Sequence, residues 1–152
     1  MPLYRTERRV RHSAARMFEL VADIARYPEF VPLCLSLKLR SRVQNADADD
    51  VLLADMEVGY RAIREKFTSK VTLQRARQKI LVEYVDGPFR RLENSWSFSD
   101  LPGGGSIVAF YIDYEFRSKL LGALMGSMFD AAFRKFAAAF EARADVIYGP
   151  GG

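Results

Sequence analysis

From Lys119 to about Ile147 the chain carries one helical pattern, with apolar residues at Leu121, Leu124, Met125, Met128, Phe129, Ala132, Phe133, Phe136, Phe140 and Ile147. At 1.5 Å per residue this is a helix of roughly 40–45 Å. Its most apolar run, Leu120 to Phe133, is broken by Ser127 and Asp130 and is too short to span a hydrocarbon layer of about 30 Å. An apolar stripe of that length must be buried against something equally long, and everything between Leu35 and Phe116 alternates like strand.

The alternation runs through six segments. Leu35, Leu37, Leu39 and Val43 share one face, with Ser36, Lys38, Arg40 and Arg42 on the other. After the polar turn 45–49, Leu52, Ala54, Met56 and Val58 point inward, and Gly59 reads as a bulge or sharp bend. Ile63, Glu65, Phe67, Ser69 and Val71 form the next inward set. Ile80–Val85 follows, and then the Asp86-Gly87-Pro88 turn. Beyond it Leu92, Trp96 and Phe98 line up with one amide, Asn94, among them. The loop Pro102-Gly103-Gly104-Gly105 leads to Ile107–Phe116, with Val108, Phe110, Ile112, Tyr114 and Phe116 on one face. Ahead of these lie a polar-flanked strand, Leu3–Arg11, and a helix capped by Ser13 and ended by Tyr27-Pro28. The segment 30–34 reads as a short helical turn or loop. Strand, helix, about six antiparallel strands and one long helix predict an α+β fold, with the sheet curled around the last helix. With 152 residues, one domain over 1–148 and a flexible tail at 149–152 are expected.

A curled sheet gripping a helix leaves room for a cavity. Gly122, Ala123 and Gly126 thin the helix near its start, and Met125 and Met128 supply adaptable apolar surface. Glu65, Ser69 and Asn94 add a few polar groups to inward faces that are otherwise aliphatic and aromatic, the composition of a small-molecule pocket. A buried amide without a partner costs roughly 1–3 kcal/mol, so Asn94 meets either a ligand or neighbouring backbone. Periodicity does not separate a lined cavity from plain core.

Several blocks in order resemble one family: Tyr27-Pro28-x-Phe30-x-Pro32-x-Cys34, Val58-Gly59, Glu65-x-Phe67-Thr68-Ser69, Asp86-Gly87-Pro88-Phe89-x-x-Leu92, Trp96-x-Phe98 and Phe140-x-x-Arg143-Ala144. From about Tyr4 to Ala144 the chain looks like the coenzyme Q-binding branch of the START-like, helix-grip (START/Bet v 1-like) superfamily, a branch also named ribosome association toxin in bacteria. Leu33 departs from the pattern, since many members have Trp there. The resemblance implies a curved antiparallel sheet of six to seven strands around the long helix. It further implies a tunnel for a polyprenyl quinone and a non-catalytic chaperone role in respiratory electron transport. Ubiquinone is then the bound ligand, and no other cofactor is expected. Each isoprenoid CH₂ leaving water is worth about 0.8 kcal/mol. The apolar lining candidates are Phe67, Trp96, Phe98, Phe110, Met125 and Phe129. The polar ones are Ser69, Asn94 and Glu65, the last able to donate to a carbonyl only where burial keeps it protonated. Tyr27 and Pro28 are candidates for the mouth, or simply stop a helix.

Charge supplies the alternative. Between Arg61 and Lys79 there are seven basic residues and one acid, and Lys38, Arg40 and Arg42 add an outward stripe. The basic surface of Lys38, Arg40, Arg42, Arg61, Arg64, Lys66 and Lys70 suits anionic lipid, at about 1 kcal/mol per residue, or ribosomal RNA phosphates. No aromatic residues interleave to read bases, so DNA is not an expected partner. The sole histidine, His12, excludes a histidine-built metal site. Cys34 lacks a base partner and reads as a small buried hydrophobe. A single cysteine and no apolar leader suggest a soluble, cytoplasmic protein, peripheral at the inner membrane if it contacts one. Some helix-grip relatives are cyclases, and Glu65 would be the base in such an enzyme.

Overall fold

Two serines begin the two helices. Ser13 Oγ accepts from the Arg16 amide at 3.2 Å and Ser118 Oγ from the Leu121 amide at 3.1 Å, each satisfying an N-terminal N–H. The computed structural model describes residues 3–60 and 62–149. Its elements are β1 (Leu3–Val10), α1 (Ala14–Ala22), a 3-10 helix (Ile24–Glu29), β2 (Cys34–Gln44), β3 (Asp50–Tyr60), β4 (Ile63–Gln74), β5 (Lys79–Asp86), β6 (Phe89–Asp100), β7 (Ser106–Phe116) and α2 (Lys119–Tyr148). The strands form one antiparallel sheet in the order β1-β7-β6-β5-β4-β3-β2, and α2 lies in its concave face. This is the expected α+β helix-grip arrangement. Of the predicted tail, Gly149 donates to the Asp145 carbonyl at 3.0 Å, and 150–152 lie outside the described residues.

α2 packs mainly on β1 and β7, while α1 closes one end of the groove against β5, β6, β7 and α2. Phe18 of α1 meets Phe98 edge-on, with ring centroids 5.8 Å apart. At the junction before α1, buried His12 bonds Asp145 of α2 at 2.6 Å, and its carbonyl accepts from the Ser106 hydroxyl.

Three local expectations are corrected. Tyr27-Pro28 does not end α1, which stops at Ala22. Pro28 instead sits inside the 3-10 helix, where its missing N–H and its clash with an i−4 carbonyl forbid α geometry. Tyr27 Oη donates to the Val21 carbonyl left free by the stop of α1. Gly59 is no bulge, because β3 and β4 pair continuously through it. A Cβ there would come within 2.8 Å of both the Ile63 carbonyl and Leu35 Cδ1. In β2 the pairing slips between Cys34 and Ser36 and again between Leu39 and Ser41. Beyond the second bulge Arg42 pairs with Leu52 of the inward set, and Val43 pairs with Val51 and is exposed. One inserted residue exchanges the two faces of a strand.

Candidate functional site

The hollow of the grip lies on one side of the groove. α2 sits over β1 and β7, so β2 to β5 curve away from it and leave a cavity. Its volume is about 940 Å³ counted out to solvent, of which about 100 Å³ admits the centre of a water molecule. The walls come from β2 to β6 and Ile112 of β7, from Phe129, Ala132, Phe133, Phe136 and Phe140 of α2, and from the segment that runs through the 3-10 helix to Cys34. Among the described residues, none that line the cavity carries a charge.

Blocks distant in sequence assemble this cavity. Phe140 meets Tyr27 at 5.3 Å and Phe30 at 5.0 Å between ring centroids. The Arg143 guanidinium stands over the Phe30 ring at 5.0 Å and bonds Glu29. The 3-10 helix is thereby latched to α2. Leu33, in the left-handed region at φ 66°, lines the cavity, and its carbonyl accepts from the Gly59 amide at 3.1 Å. A branched-at-Cγ residue in that conformation carries about 1–2 kcal/mol of backbone strain. On the other side the Gly87 turn lies against Phe67: a Cβ on Gly87, at φ 146°, would come 2.5 Å from Phe67 Cβ. Phe67 in turn meets Phe89 edge-on at 5.4 Å.

Of the residues expected in the cavity, Tyr27, Phe67, Ser69, Asn94, Trp96 and Phe129 line it. Pro28, Glu65, Phe98, Phe110 and Met125 do not. Pro28 shares its helix with Tyr27, whose ring takes the inner position. Glu65 lies on the inward side of β4 but near its start, paired with Val58 and half-buried beyond the lining. Phe98 is covered by Phe18, and Phe110 is enclosed by Tyr4, Trp96, Phe133 and Phe136. Met125 is fully buried outside the lining. Leu37, Val82, Phe136 and Cys34 also form the wall, though none is among the residues expected there. Their signal was cross-strand register with residues already pointing inward, and helical spacing from Phe129.

The polar atoms of the wall are neutral. Asn94 donates through Nδ2 to the Tyr111 carbonyl at 2.8 Å, and its Oδ1 has no hydrogen-bond partner among the described residues. The amide orientation is unambiguous, since a carbonyl only accepts. The Ser69 hydroxyl, buried in the wall, likewise has no partner among the described residues. Burial pushes the Cys34 thiol up to about 11, so it stays protonated at neutral pH, and it pushes the Tyr27 phenol far above its ordinary value.

The outer face corrects the charge pattern. Arg40 bonds Asp55 at 2.8 Å, Arg64 approaches Glu57 at 4.0 Å, and Lys70 approaches Glu83 at 3.9 Å. Lys66 pairs across the strands with Glu57, and Lys38 with Asp55. The Thr68 hydroxyl first, and the Arg40 guanidinium next, hold Asp55 below the usual carboxylate range. Arg42, moved by the bulge, reaches Asp50 at 2.8 Å, as Arg75 does at 3.4 Å. Arg61 lies outside the described residues. A run that is basic along the chain is thus a mixed-charge surface across the strands. No helix among the described residues is long and apolar enough to cross a membrane.

Comparison with known proteins agrees with this architecture. Residues 10–141 match the family model described as polyketide cyclase / dehydrase and lipid transport. A ribosome association toxin, RatA, of Vibrio cholerae is 33% identical over 140 residues, covering 92% of this chain and 93% of the toxin. The mitochondrial coenzyme Q-binding protein COQ10 homolog B of Xenopus laevis is 31% identical over 141 residues, covering 90% of this chain and 55% of that protein. A START superfamily protein from Mycobacterium smegmatis superposes with a TM-score of 0.78 over 95% of this chain and 98% of that one. At 18% identity it speaks for the fold alone. The chain belongs to the polyketide cyclase / dehydrase and lipid transport family, and its relatives at 30% identity or more include ribosome association toxins and a coenzyme Q-binding protein.

Proposed function

We propose that this protein is a non-catalytic carrier that holds an apolar ligand of the polyprenyl quinone class, with ubiquinone the leading candidate, in the cavity between sheet and α2. The observation that carries this reading is a deep cavity with an uncharged, largely aliphatic and aromatic wall. Such a wall rewards burial of an isoprenoid tail at about 25 cal/mol per Å². The coenzyme Q-binding relative points the same way. Glu65, the one carboxylate considered as a catalytic base, stands outside the lining, which favours binding over turnover. Trp96 is the only tryptophan and lines the cavity, so its fluorescence reports occupancy directly. Titration with a short-tail ubiquinone should quench it saturably at one ligand per chain. Native mass spectrometry of protein purified with its host membranes should find a quinone bound. No quenching and no co-purified quinone in repeated trials would remove this reading.

A second reading rests on the toxin-named relatives: association with the large ribosomal subunit through the outer sheet face. The carboxylates interleaved among Lys38, Arg40, Arg64, Lys66 and Lys70 weaken the field such binding would use. Salt-sensitive co-sedimentation with large subunits, lost in a Lys38→Glu and Lys66→Glu double variant, would support it. Absence of sedimentation at low salt would end it.

A further inference from the structure

We infer that the cavity selects its ligand by charge state: it takes uncharged head groups and rejects anionic ones, including the semiquinone anion. This rests on the reading of the cavity as an apolar-ligand site. No lining residue among the described residues is charged. Two basic groups next to the wall are engaged elsewhere: Arg143 stacks on Phe30 and is bonded to Glu29, and Arg117 donates to the Phe89 carbonyl at 3.1 Å. Glu65, half-buried beside the lining on β4, adds negative charge, which opposes an anion further.

What the wall offers a head group is neutral hydrogen bonding. Ser69 brings a free hydroxyl and Asn94 a free carbonyl oxygen. Several donors are already engaged: Tyr27 Oη on the Val21 carbonyl at 2.5 Å, Asn94 Nδ2 on the Tyr111 carbonyl, and Cys34 Sγ directed at the Ser36 carbonyl at 3.8 Å. Such groups satisfy a carbonyl or a hydroxyl. They do not replace the hydration of a full charge, whose burial is tolerated only with a counter-charge.

Adding one electron to a bound quinone, with no proton, gives the semiquinone anion, an unpaired charge in this cavity. Adding two electrons and two protons gives the neutral quinol. A quinone held here is therefore kept from the semiquinone anion until it is released, and a one-electron state in this cavity requires that a proton be taken up with the electron. The protein acts as a redox-insulated holder as well as a solubiliser.

The test uses the full chain and Trp96 fluorescence, with a short-tail ubiquinone as probe and dodecanol and dodecanoate as competitors of matched length. Near neutral pH dodecanol should displace the quinone at a concentration at least about ten-fold lower than dodecanoate. An Asn94→Lys variant, or Ser69→Lys where the first does not melt cooperatively, puts an ammonium at the wall and should close that gap. Electron paramagnetic resonance of loaded protein poised at half reduction should show a semiquinone signal at least about ten-fold weaker than in the Lys variant. Dodecanoate competing as well as dodecanol, or a strong semiquinone signal in the unaltered protein, would overturn the inference while leaving a quinone carrier intact. If the quinone never quenches Trp96 but dodecanol by itself shifts Trp96 fluorescence at a concentration at least about ten-fold lower than dodecanoate does, the quinone reading fails and the charge rule stands. If none of the probes binds, both fall.

Discussion

The two sides of the groove differ in how they are filled. On the β1–β7 side α2 lies close to the sheet, and Tyr4, Phe110, Trp96, Phe133 and Phe136 interlock with ring centroids 4.7–6.4 Å apart. On the β2–β5 side the same kinds of residue, such as Phe67, Met56 and Val82, face open space. Side-chain size does not explain the contrast. α2 packs on β1 and β7, and most of the inward side chains that line the void come from the strands beyond them. Stability and ligand capacity thereby grade across one concave face, with Trp96, Phe133 and Phe136 packed on one side and bordering the cavity on the other.

The contrast can be broken most directly by truncation. Phe110→Ala should cost about 3–5 kcal/mol, since it empties a packed site, whereas Phe67→Ala should cost less than half as much because part of its contact surface already borders a cavity. Urea denaturation of both variants measures the difference, and equal losses would mean that the two sides are packed alike. Next in size is Gly87→Ala, which forces a Cβ against Phe67 at an unfavourable φ and should cost about 1–3 kcal/mol. Its probe binding should fall with it, since the turn sets the position of a cavity wall.

Ala54→Phe sharpens the comparison in the other direction. Ala54 lines the hollow side, so the new ring has space to enter. Stability should change by less than about 1 kcal/mol while quinone quenching of Trp96 is abolished, against the usual overpacking cost of about 1–3 kcal/mol in a filled core. The smallest effect concerns Cys34. Its thiol titrates near 11 in the folded chain and near about 8.5 when unfolded, so the folded state holds its proton more tightly. By linkage, stability is unaffected below about pH 8 and declines as pH rises from there through about 11. Alkylation by iodoacetamide near neutral pH should be slow, and slower again with quinone bound, because Cys34 is part of the wall. Rapid alkylation indifferent to ligand would detach this residue from the cavity.

Much of this was legible in the chain. The β7 alternation, Val108 to Phe116, predicts its faces without error because the strand is paired on both sides and carries no slip of its own. β2 was not legible in the same way. It is an edge strand, and its two bulges moved Arg42 and Val43 to faces that simple counting denies them. The candidate site divides similarly. Phe67, Ser69, Asn94 and Trp96 followed from alternation into the cavity, but Phe98, Phe110 and Met125 obey the same periodicities and are core. Period reports which way a side chain points and carries no information about how far away the opposing surface lies.

Residue order alone was enough for the strands, the cap at Ser13, and a sheet gripping one long helix. Those depend on local sterics and on which face must leave water, and both are written in neighbouring residues. The position of the cavity, the latch of Phe140 and Arg143 on the 3-10 helix, the carboxylates that temper the basic strands and the uncharged wall all came from the folded chain. Each depends on distances between residues far apart in sequence, set by how the sheet curls over α2.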